Sequence, residues 1–310
     1  MPFVKIGSIP VSYFFKGPWF VLNILFQLPA LLYNLVNEYI ALKKLIRIHS
    51  LSMVISDNRY GLRNPGIRSI LITHQISPVL PLFMRFAEYP LYKILKTLIQ
   101  KFDECWIPDY KGQDNLSGAL SHRFSLPLNA KFIGPLSRFQ LKNVSVVTEN
   151  YDIAIILSGP RPQLDRLTRS ILDKTKSLDK KTIIICGFSD TSRFVNHNKL
   201  VTVVSHLQPE QFRSVVENAG LIVSTAGYSG IMDLYTLGCS AILIPFEGQT
   251  EQEYLCTYLK NKEFFLSMEE DEIDMGNIDL YIERITYCKS QIASVKKRNL
   301  LHQESAEHHR

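Results

Sequence analysis

The feature that most constrains the fold of this 310-residue chain is a series of short apolar runs rich in β-branched residues. These runs occur at residues 53–56, 69–73, 105–108, 131–134, 153–158, 182–186, 201–205, 221–224 and 241–245. Helix-length amphipathic segments, such as 163–178 and 209–220, lie between them. Continuous apolar strands are typical of parallel sheets covered by helices on both faces, because neither side of such a strand meets water. The pattern therefore predicts an α/β protein.

A stretch without clean periodicity divides the series of strands. Residues 134–151 carry Gly134, Pro135 and mixed polar residues, which is typical of an interdomain linker. We therefore expect two Rossmann-like domains, residues 1–138 and 139–310. The first domain is expected to be shortened at its N-terminus, because the chain passes from MPFVKIGSIPVSYFFKG directly to an apolar helical segment, without an opening strand and Gly-rich turn.

The charge and cysteine content exclude several classes of protein. The formal net charge is +6, and the Lys and Arg residues are scattered, which argues against a dedicated nucleic-acid binder. The balance fits an enzyme that handles phosphorylated substrates or lies near anionic lipid. The five cysteines are odd in number and lack Cys-x-x-Cys spacing, so neither disulfides nor a metal site is predicted. We expect buried thiols and a reducing, cytoplasmic compartment.

Residues 18–36, PWFVLNILFQLPALLYNLV, form a long apolar segment with three possible interpretations. Asn23, Gln27, Pro29 and Asn34 interrupt it, and polar groups are costly in hydrocarbon, so the pattern favours a helix buried in the protein. The second interpretation is an interfacial helix that places Trp19, Phe20 and the leucines in lipid. A membrane-spanning helix is the third.

Small residues follow the predicted strand at 221–224. Gly227, Ser229 and Gly230 precede a helix predicted from Ile231, and such a turn lets a phosphate approach backbone N–H groups and the positive end of the helix dipole. Asp233 is predicted in the first helical turn, where it could accept hydrogen bonds from ribose hydroxyls. The alternative is an ordinary turn, with Gly227 at positive φ and Asp233 as a helix-start residue.

Two more strand ends carry residues suited to a ligand. Gln252 and Glu253 follow the strand at 241–245 and would open the next helix, where an amide and a carboxylate could bind sugar hydroxyls. Ser158 and Gly159 form a turn after the strand at 153–158, again with a geometry that suits phosphate. The sequence therefore predicts a nucleotide-sugar site in the second domain.

The stretch at residues 224–255, STAGYSGIMDLYTLGCSAILIPFEGQTEQEYL, resembles the donor-binding half of the MurG-like enzymes of glycosyltransferase family 28. In the first half, the segments SDNRYG, THQ and PDYKG resemble those of uncharacterised bacterial homologues. The resemblance implies a GT-B fold, with the active site in the cleft between two domains. It also implies inverting transfer from a UDP-sugar without a metal or another cofactor.

The resemblance assigns a part to each residue of the donor site. It places Asp233 on the ribose, Gln252 and Glu253 on the donor sugar, and His206 and Leu207 near the uracil. The residues that it implies for the diphosphate are Ser158, Gly159, Gly227, Ser229 and Gly230.

The acceptor side is less defined. The family opens with a Gly-rich loop that contains a His, and residues 1–17 show no such loop. Asp57 and His74 follow predicted strands, and either could take a proton from an acceptor hydroxyl. The alternative is that Asp57 caps a turn and His74 is structural.

The sequence thus predicts a glycosyltransferase whose acceptor is lipid-linked, with a peripheral contact at the inner face of the membrane and no nucleic-acid partner. Two other functions stay open. The chain could be a non-catalytic or partner-dependent nucleotide-sugar-binding remnant. A sugar-nucleotide epimerase of similar fold is the third possibility, and it would turn over a UDP-sugar without any acceptor.

Overall fold

The computed structural model describes residue 6 and residues 18–139, 150–187 and 198–307, with the side chains of 18–26 and 300–307 left out. Residues 140–149 of the predicted linker, and nearly all of the N-terminal stretch before residue 18, lie outside the described part. The chain forms two compact units. The first comprises Met1–Pro135 and Gly248–Glu251, and the second comprises Leu136–Glu247 and Gln252–Arg310. The predicted boundary follows residue 138, and the acceptor and donor roles of the two units stay predictions.

The first unit is built around a four-stranded parallel sheet in the order β1-β2-β3-β4. Its strands are β1 (Met53–Asp57), β2 (Arg68–Ile72), β3 (Glu104–Ile107) and β4 (Ala130–Phe132). Its α-helices are α1 (Pro18–His49), α2 (Glu88–Ile99) and the single turn α3 (Ala119–His122), and a 3-10 helix spans Leu82–Ala87. The core includes Leu71, Tyr92, Ile99 and Ile107, all fully or almost fully buried.

The second unit contains a six-stranded parallel sheet in the order β7-β6-β5-β8-β9-β10. The strands are β5 (Ile153–Ile156), β6 (Thr182–Ile185), β7 (Val201–Val204), β8 (Leu221–Thr225), β9 (Ile242–Ile244) and β10 (Leu266–Ser267). The helices are α4 (Arg161–Lys174), α5 (Pro209–Asn218), α6 (Tyr228–Leu237), α7 (Thr250–Asn261) and α8 (Ile278–Glu307). The first two residues of α7 belong to the segment 248–251 of the first unit. Numbered within the unit, the strand order is 3-2-1-4-5-6, the doubly wound order of Rossmann folds. The predicted α/β class with two Rossmann-like domains is confirmed.

The central strands of the second unit have the burial that a covered parallel sheet requires. Ile153 and Ile155 of β5 and Val223 of β8 are fully buried, and Leu167 and Ile171 of α4 belong to the same apolar cluster. All nine predicted strands are present, with ends shifted by one or two residues. The strand β10 was not predicted, because its two residues are too few to produce a periodic signal.

The five cysteines are buried and free, as expected for small apolar core residues. Burial raises the pKa of the Cys105 and Cys256 thiols to about 12, so both stay protonated and unreactive at neutral pH.

The apolar segment is part of α1, and the favoured prediction that it is buried is wrong for the side chains described. Leu28, Leu32 and Val36 are exposed, whereas Glu38 and Leu42 face the protein. The segment lies at the surface because the inner side of α1 is fixed by polar contacts: Arg59 Nε and Gly61 N donate to the Glu38 carboxylate at 3.0 and 3.1 Å. Among the helices of the described residues, none is both long and apolar enough to cross a membrane.

Replacing Gly61 by Ala tests the close approach between α1 and the loop after β1. A methyl group at Gly61 would lie 2.7 Å from Glu38 Cβ and in contact with the Leu35 carbonyl oxygen, so the helix would have to move. We expect Gly61→Ala to lower the free energy of unfolding by about 1–3 kcal/mol, measured by urea denaturation. Gly112→Ala is the control, because a methyl group there meets no atom within 4 Å in the part of the chain that the structure describes, and we expect a change within about 0.5 kcal/mol. Equal effects of the two substitutions would contradict this account of α1 packing.

Candidate functional site

The loops that follow β5 and β8 meet at the point where the strand order of the second unit reverses. Because the strands are parallel, their carboxyl ends lie at one edge of the sheet, and the reversal leaves a crevice there in which doubly wound proteins bind ligands. Ser158 and Gly159 follow β5, and Gly227 follows β8. The structure therefore brings these three predicted residues together.

Thr225, the last residue of β8, joins the two loops. Ser158 N donates to Thr225 Oγ1 at 3.0 Å, and the two side-chain oxygens are 3.2 Å apart. A methyl group at Gly227 would lie 4.0 Å from Ser158 Oγ. Sequence analysis did not assign Thr225 to the site. The sequence feature that could have identified Thr225 is a hydroxyl residue at the end of an otherwise apolar strand.

Gly159 is a glycine because an aromatic ring occupies the space of a side chain. A methyl group at Gly159 would lie 2.9 Å from Phe246 Cζ and closer still to another ring atom. Phe246 is buried and follows β9. The loop after β5 therefore packs with its backbone against the ring, so the end of β9 helps to fix the position of Ser158.

The helix α6 begins at this crevice. Tyr228 is its first residue, and Gly227 precedes it with an extended backbone (φ −74°, ψ 134°) and no side-chain cap. Two expectations are corrected here. Gly227 does not serve a positive φ, and α6 begins three residues earlier than predicted, so Asp233 lies beyond its first turn. The first turn instead contains Ser229, which is exposed, and Gly230, where a methyl group would meet no atom of the described residues within 4 Å.

The first turn of a helix presents backbone N–H groups that lack partners within the helix, together with the positive end of its dipole. At α6 that turn carries two small residues and is open to an incoming group. The end of α6 is therefore suited to bind an anion such as a diphosphate.

Asp233 makes contacts within the second unit. Ser137 Oγ donates to Asp233 Oδ1 at 2.6 Å, and Arg138 Nε lies 3.4 Å from Oδ2. Burial raises the pKa of the carboxyl group, while the hydrogen bond from Ser137 and the charge of Arg138 act against that shift. These contacts hold the segment that enters the second unit against α6. Binding of ribose by Asp233 stays a prediction.

Gln252 and Glu253 lie in the first turn of α7 but differ in their surroundings. Gln252 is buried, and its Oε1 accepts a hydrogen bond from Phe246 N at 3.0 Å. Gln252 therefore has a structural role, because its amide satisfies a buried backbone donor. Glu253 is exposed.

His206 and Leu207 follow β7 at the same edge of the sheet, but β6 lies between β7 and β5. His206 is exposed, with its Nδ1 2.9 Å from Ser205 Oγ, and Leu207 is half-buried. The pair therefore lies farther along the edge than the loops at the reversal.

In the first unit, Asp57 ends the outermost strand β1 and is exposed. The turn after it is held by its neighbours. Ser56 Oγ donates to Arg59 O at 2.6 Å, and Asn58 adopts a left-handed conformation, with its N donating to Ile72 O at 2.9 Å. Asp57 is thus placed at the carboxyl end of the sheet, and both its catalytic role and its role as a turn cap stay predictions.

His74 lies two residues after β2 and contacts a carboxylate that sequence analysis left unassigned. His74 Nε2 is 2.7 Å from Glu251 Oε1, and Gln75 Nε2 donates to Glu251 Oε2. Glu251 belongs to the segment 248–251, which is part of the first unit. An imidazole beside a carboxylate is the arrangement by which a histidine base is oriented. The signal for Glu251 was its place in the same polar run as Gln252.

Neither unit offers an evident metal centre within the described ranges. No group of three or more His, Cys, Asp or Glu side chains there is arranged to hold an ion.

A matched pair of substitutions tests the structural role of Gln252. We expect Gln252→Ala to lower the free energy of unfolding by about 1–3 kcal/mol, because it leaves the buried Phe246 N–H without its acceptor. Gln252→Glu keeps an oxygen in place and should lose less. Glu253→Ala, at the next and exposed position, should stay within about 0.5 kcal/mol of the native chain. If Gln252→Ala proved as stable as Glu253→Ala in chemical denaturation, the hydrogen bond from Phe246 N to Gln252 would not contribute to the stability of the fold.

Comparison with known proteins agrees with the architecture. Residues 162–309 match the model of the glycosyltransferase family 28 C-terminal domain. A comparison with curated protein sequences found no significant match.

Several solved glycosyltransferases share the fold. The glycotransferase of kitacinnamycin is 13% identical, with a TM-score of 0.58 over 88% of this chain and 78% of that one. MurG of Acinetobacter baumannii is 11% identical, with a TM-score of 0.51 over 86% of this chain and 75% of its own. The spinosyn rhamnosyltransferase SpnG, solved with thymidine diphosphate, is also 11% identical, with a TM-score of 0.53 and the same two coverages.

The strand order and these matches agree: residues 162–309 match the glycosyltransferase family 28 C-terminal domain, and the chain has the GT-B fold of the solved glycosyltransferases.

Proposed function

We propose that this protein is an inverting glycosyltransferase that moves a sugar from UDP to an acceptor hydroxyl. The observation that carries the proposal is the open first turn of α6 at the strand-order reversal, next to the Ser158–Thr225 contact. The family of the domain and the location of the crevice support the assignment of the donor to the second unit.

The diphosphate is the part of the donor that the chain can stabilise most. As the bond between the anomeric carbon and the diphosphate oxygen breaks, negative charge builds on the leaving group. Backbone N–H groups of Ser229 and Gly230, at the positive end of α6, are placed to stabilise that charge without reorganising. In this proposal the N-terminal end of α6, rather than a metal ion, stabilises the negative charge on the leaving diphosphate.

The remaining donor contacts follow from the family resemblance. Asp233 would bind the ribose, Gln252 and Glu253 the donor sugar, and His206 and Leu207 the base. Oε1 of Gln252 also accepts the hydrogen bond from Phe246 N. Uracil is the proposed nucleobase of the donor. Thymine is the alternative, because the SpnG structure contains thymidine diphosphate.

His74 is the proposed base for the acceptor, in preference to Asp57. In the reaction the acceptor oxygen forms a bond to the anomeric carbon, the bond to UDP breaks, and the hydroxyl proton passes to His74. A carboxylate hydrogen-bonded to the imidazole orients the ring and stabilises its protonated form. The Glu251 contact supplies that carboxylate, whereas Asp57 lies exposed on an edge strand. Glu251 is thus a positioning residue.

We further propose a lipid-linked acceptor and a cytoplasmic enzyme at the inner face of the membrane. The resemblance suggests this acceptor. The buried free thiols are compatible with a reducing compartment.

A carboxylate placed at the proposed diphosphate site should block the donor. We expect saturating UDP, at a hundredfold over Kd, to stabilise the native chain by about 2.7 kcal/mol. Ser229→Asp should abolish this gain, because its charge repels the diphosphate. Without UDP, the variant should be as stable as the native chain or slightly more stable, because a carboxylate in a first turn favours the helix dipole. Thermal unfolding with UDP and with TDP measures both effects.

Ser290→Asp is the matched control, because Ser290 is exposed in the middle of α8 and away from any helix end. It should keep the full response to UDP. A native chain that responds to neither UDP nor TDP would refute the donor site. A response without any sugar transfer would favour the alternative of a nucleotide-sugar-binding remnant.

Substitutions at the His74–Glu251 pair test the acceptor side. We expect His74→Ala to lower kcat about 100-fold or more, the usual contribution of a general base, while the thermal response to UDP is kept. Glu251→Gln should lower kcat less, with Glu251→Asp recovering part of the loss. The assay is release of UDP from a panel of UDP-sugars with a lipid-linked sugar as acceptor.

His49→Ala, at an exposed position on α1, serves as the control and should leave kcat unchanged. An unchanged kcat in His74→Ala would overturn the assignment of the base and return it to Asp57. Release of UDP without any acceptor would point to hydrolysis, and isomerised UDP-sugar would point to the epimerase.

A further inference from the structure

The strand β1 forms an edge of the four-stranded sheet that no other strand of the described residues covers. It pairs with β2 on one side and stands last in the strand order on the other. Edge strands present a row of backbone N–H and C=O groups that can pair with a further strand, and proteins usually protect them by short length, proline or lysine. The sequence of β1, MVISD, has five residues and contains neither proline nor lysine.

The other three sheet edges in the described ranges are better protected. The strand β4 has three residues with an exposed Lys131 at its centre, and β10 has only two residues. The strand β7 has four residues, none of them exposed. On β1, in contrast, Met53 and Ile55 are 46% and 48% exposed. The least protected edge therefore also carries exposed apolar side chains.

The direction of the backbone groups of β1 follows from its pairing with β2. Asn58 N donates to Ile72 O, so the backbone groups of Asn58 point toward β2. These groups alternate in direction along a strand, and the N–H and C=O groups of Met53, Ile55 and Asp57 consequently point to the open edge. The same three residues are the exposed ones of β1.

A second copy of β1 fits this edge if the two strands run antiparallel about a twofold axis at Ile55. Ile55 then faces Ile55 of the partner subunit, and Met53 faces Asp57 of the partner subunit. Each facing pair exchanges two hydrogen bonds, because all of these residues direct both backbone groups outward. The edge of β1 is thus complementary to itself, as a twofold interface requires.

Charge also favours the antiparallel arrangement. Arg68 is the register partner of Met53 on β2, and 59% of its side chain is exposed. In the twofold pair, Asp57 of the partner subunit lies opposite Met53, and Arg68 is the next residue across the sheet. A cation and a carboxylate therefore approach each other at both ends of the contact, whereas a parallel pair would place Asp57 beside its own copy.

We propose that β1 is the contact of a symmetric dimer, in which two copies of the chain pair antiparallel about Ile55 and join their four-stranded sheets into one continuous sheet. The proposal concerns the first unit alone and does not rest on the proposed function.

The twofold axis at Ile55 makes a specific charge-swap experiment possible, with the full chain studied by analytical ultracentrifugation. We expect the native chain to form dimers. Ile55→Lys and Ile55→Glu should each weaken the dimer about 100-fold or more, because each places like charges opposite each other. An equimolar mixture of the two variants should form dimers again at low salt, since lysine then faces glutamate, and these dimers should weaken as salt rises.

Two further variants separate backbone pairing from changes in the fold. Ile55→Pro removes an N–H group that points away from β2, so it should weaken the dimer about tenfold or more while the β1–β2 pairing is kept. Ile94→Lys is the matched control, because Ile94 is 57% exposed on α2 of the same unit. It should form dimers like the native chain. Thermal unfolding and the response to UDP, measured for every variant, report whether the chain is folded.

Three outcomes would overturn the proposal. A native chain that stays monomeric at high micromolar concentration would show that the edge does not bind a second copy. A folded Ile55→Lys variant that still forms the native dimer would place the contact elsewhere. Folded Ile55→Lys and Ile55→Glu variants that stay monomeric when mixed would show that residue 55 does not face itself.

Discussion

The reversal of strand order between β5 and β8 is the constraint on which the donor side of this protein depends. The chain adds β6 and β7 on one side of β5 and then returns to add β8 on the other side, and the parallel pairing of β5 with β8 places their carboxyl ends side by side. The contact of Ser158 with Thr225 then fixes the two loops to each other. The ring of Phe246 packs against Gly159 in the loop after β5. The N-terminus of α6 is presented at this point as a consequence of backbone topology.

The same side chains serve both folding and the site. Gln252 holds Phe246 N, Phe246 packs against Gly159, and Gly159 adjoins Ser158. A substitution at Gln252 is therefore expected to affect stability and donor binding together. In the first unit, Glu38 has a purely structural part, because its carboxylate binds Arg59 and the Gly61 backbone and fixes the inner side of α1. That fixed inner side determines which residues of α1 face solvent.

Much of the fold was predictable because its signals are local. Each strand from β1 to β9 is a compact apolar run, and the spacing between runs implies helices. The donor loops were predictable for the same reason, since glycines and hydroxyl residues follow strands directly. Contacts between distant parts of the sequence were not predictable. Glu251 reaches His74 over 177 positions, and Ser137 reaches Asp233 over 96.

The misplaced helix start has a physical explanation. Apolar periodicity indicated a helix from Ile231, but Tyr228 is buried and already belongs to α6, so the helix includes the small residues that looked like a loop. Gly230 has a low helix propensity and hid this boundary. The apolar segment of α1 was misjudged because periodicity cannot tell a helix whose apolar side chains are buried from one whose apolar side chains are exposed. Only the packing of the chain distinguishes the two.

The most direct test of the central claim is a crystal structure of the full chain with bound UDP. The account predicts diphosphate oxygens within hydrogen-bond distance, about 2.7–3.2 Å, of the backbone nitrogens of Ser229 and Gly230 at the start of α6. A diphosphate bound elsewhere, with the first turn of α6 left to solvent, would contradict it.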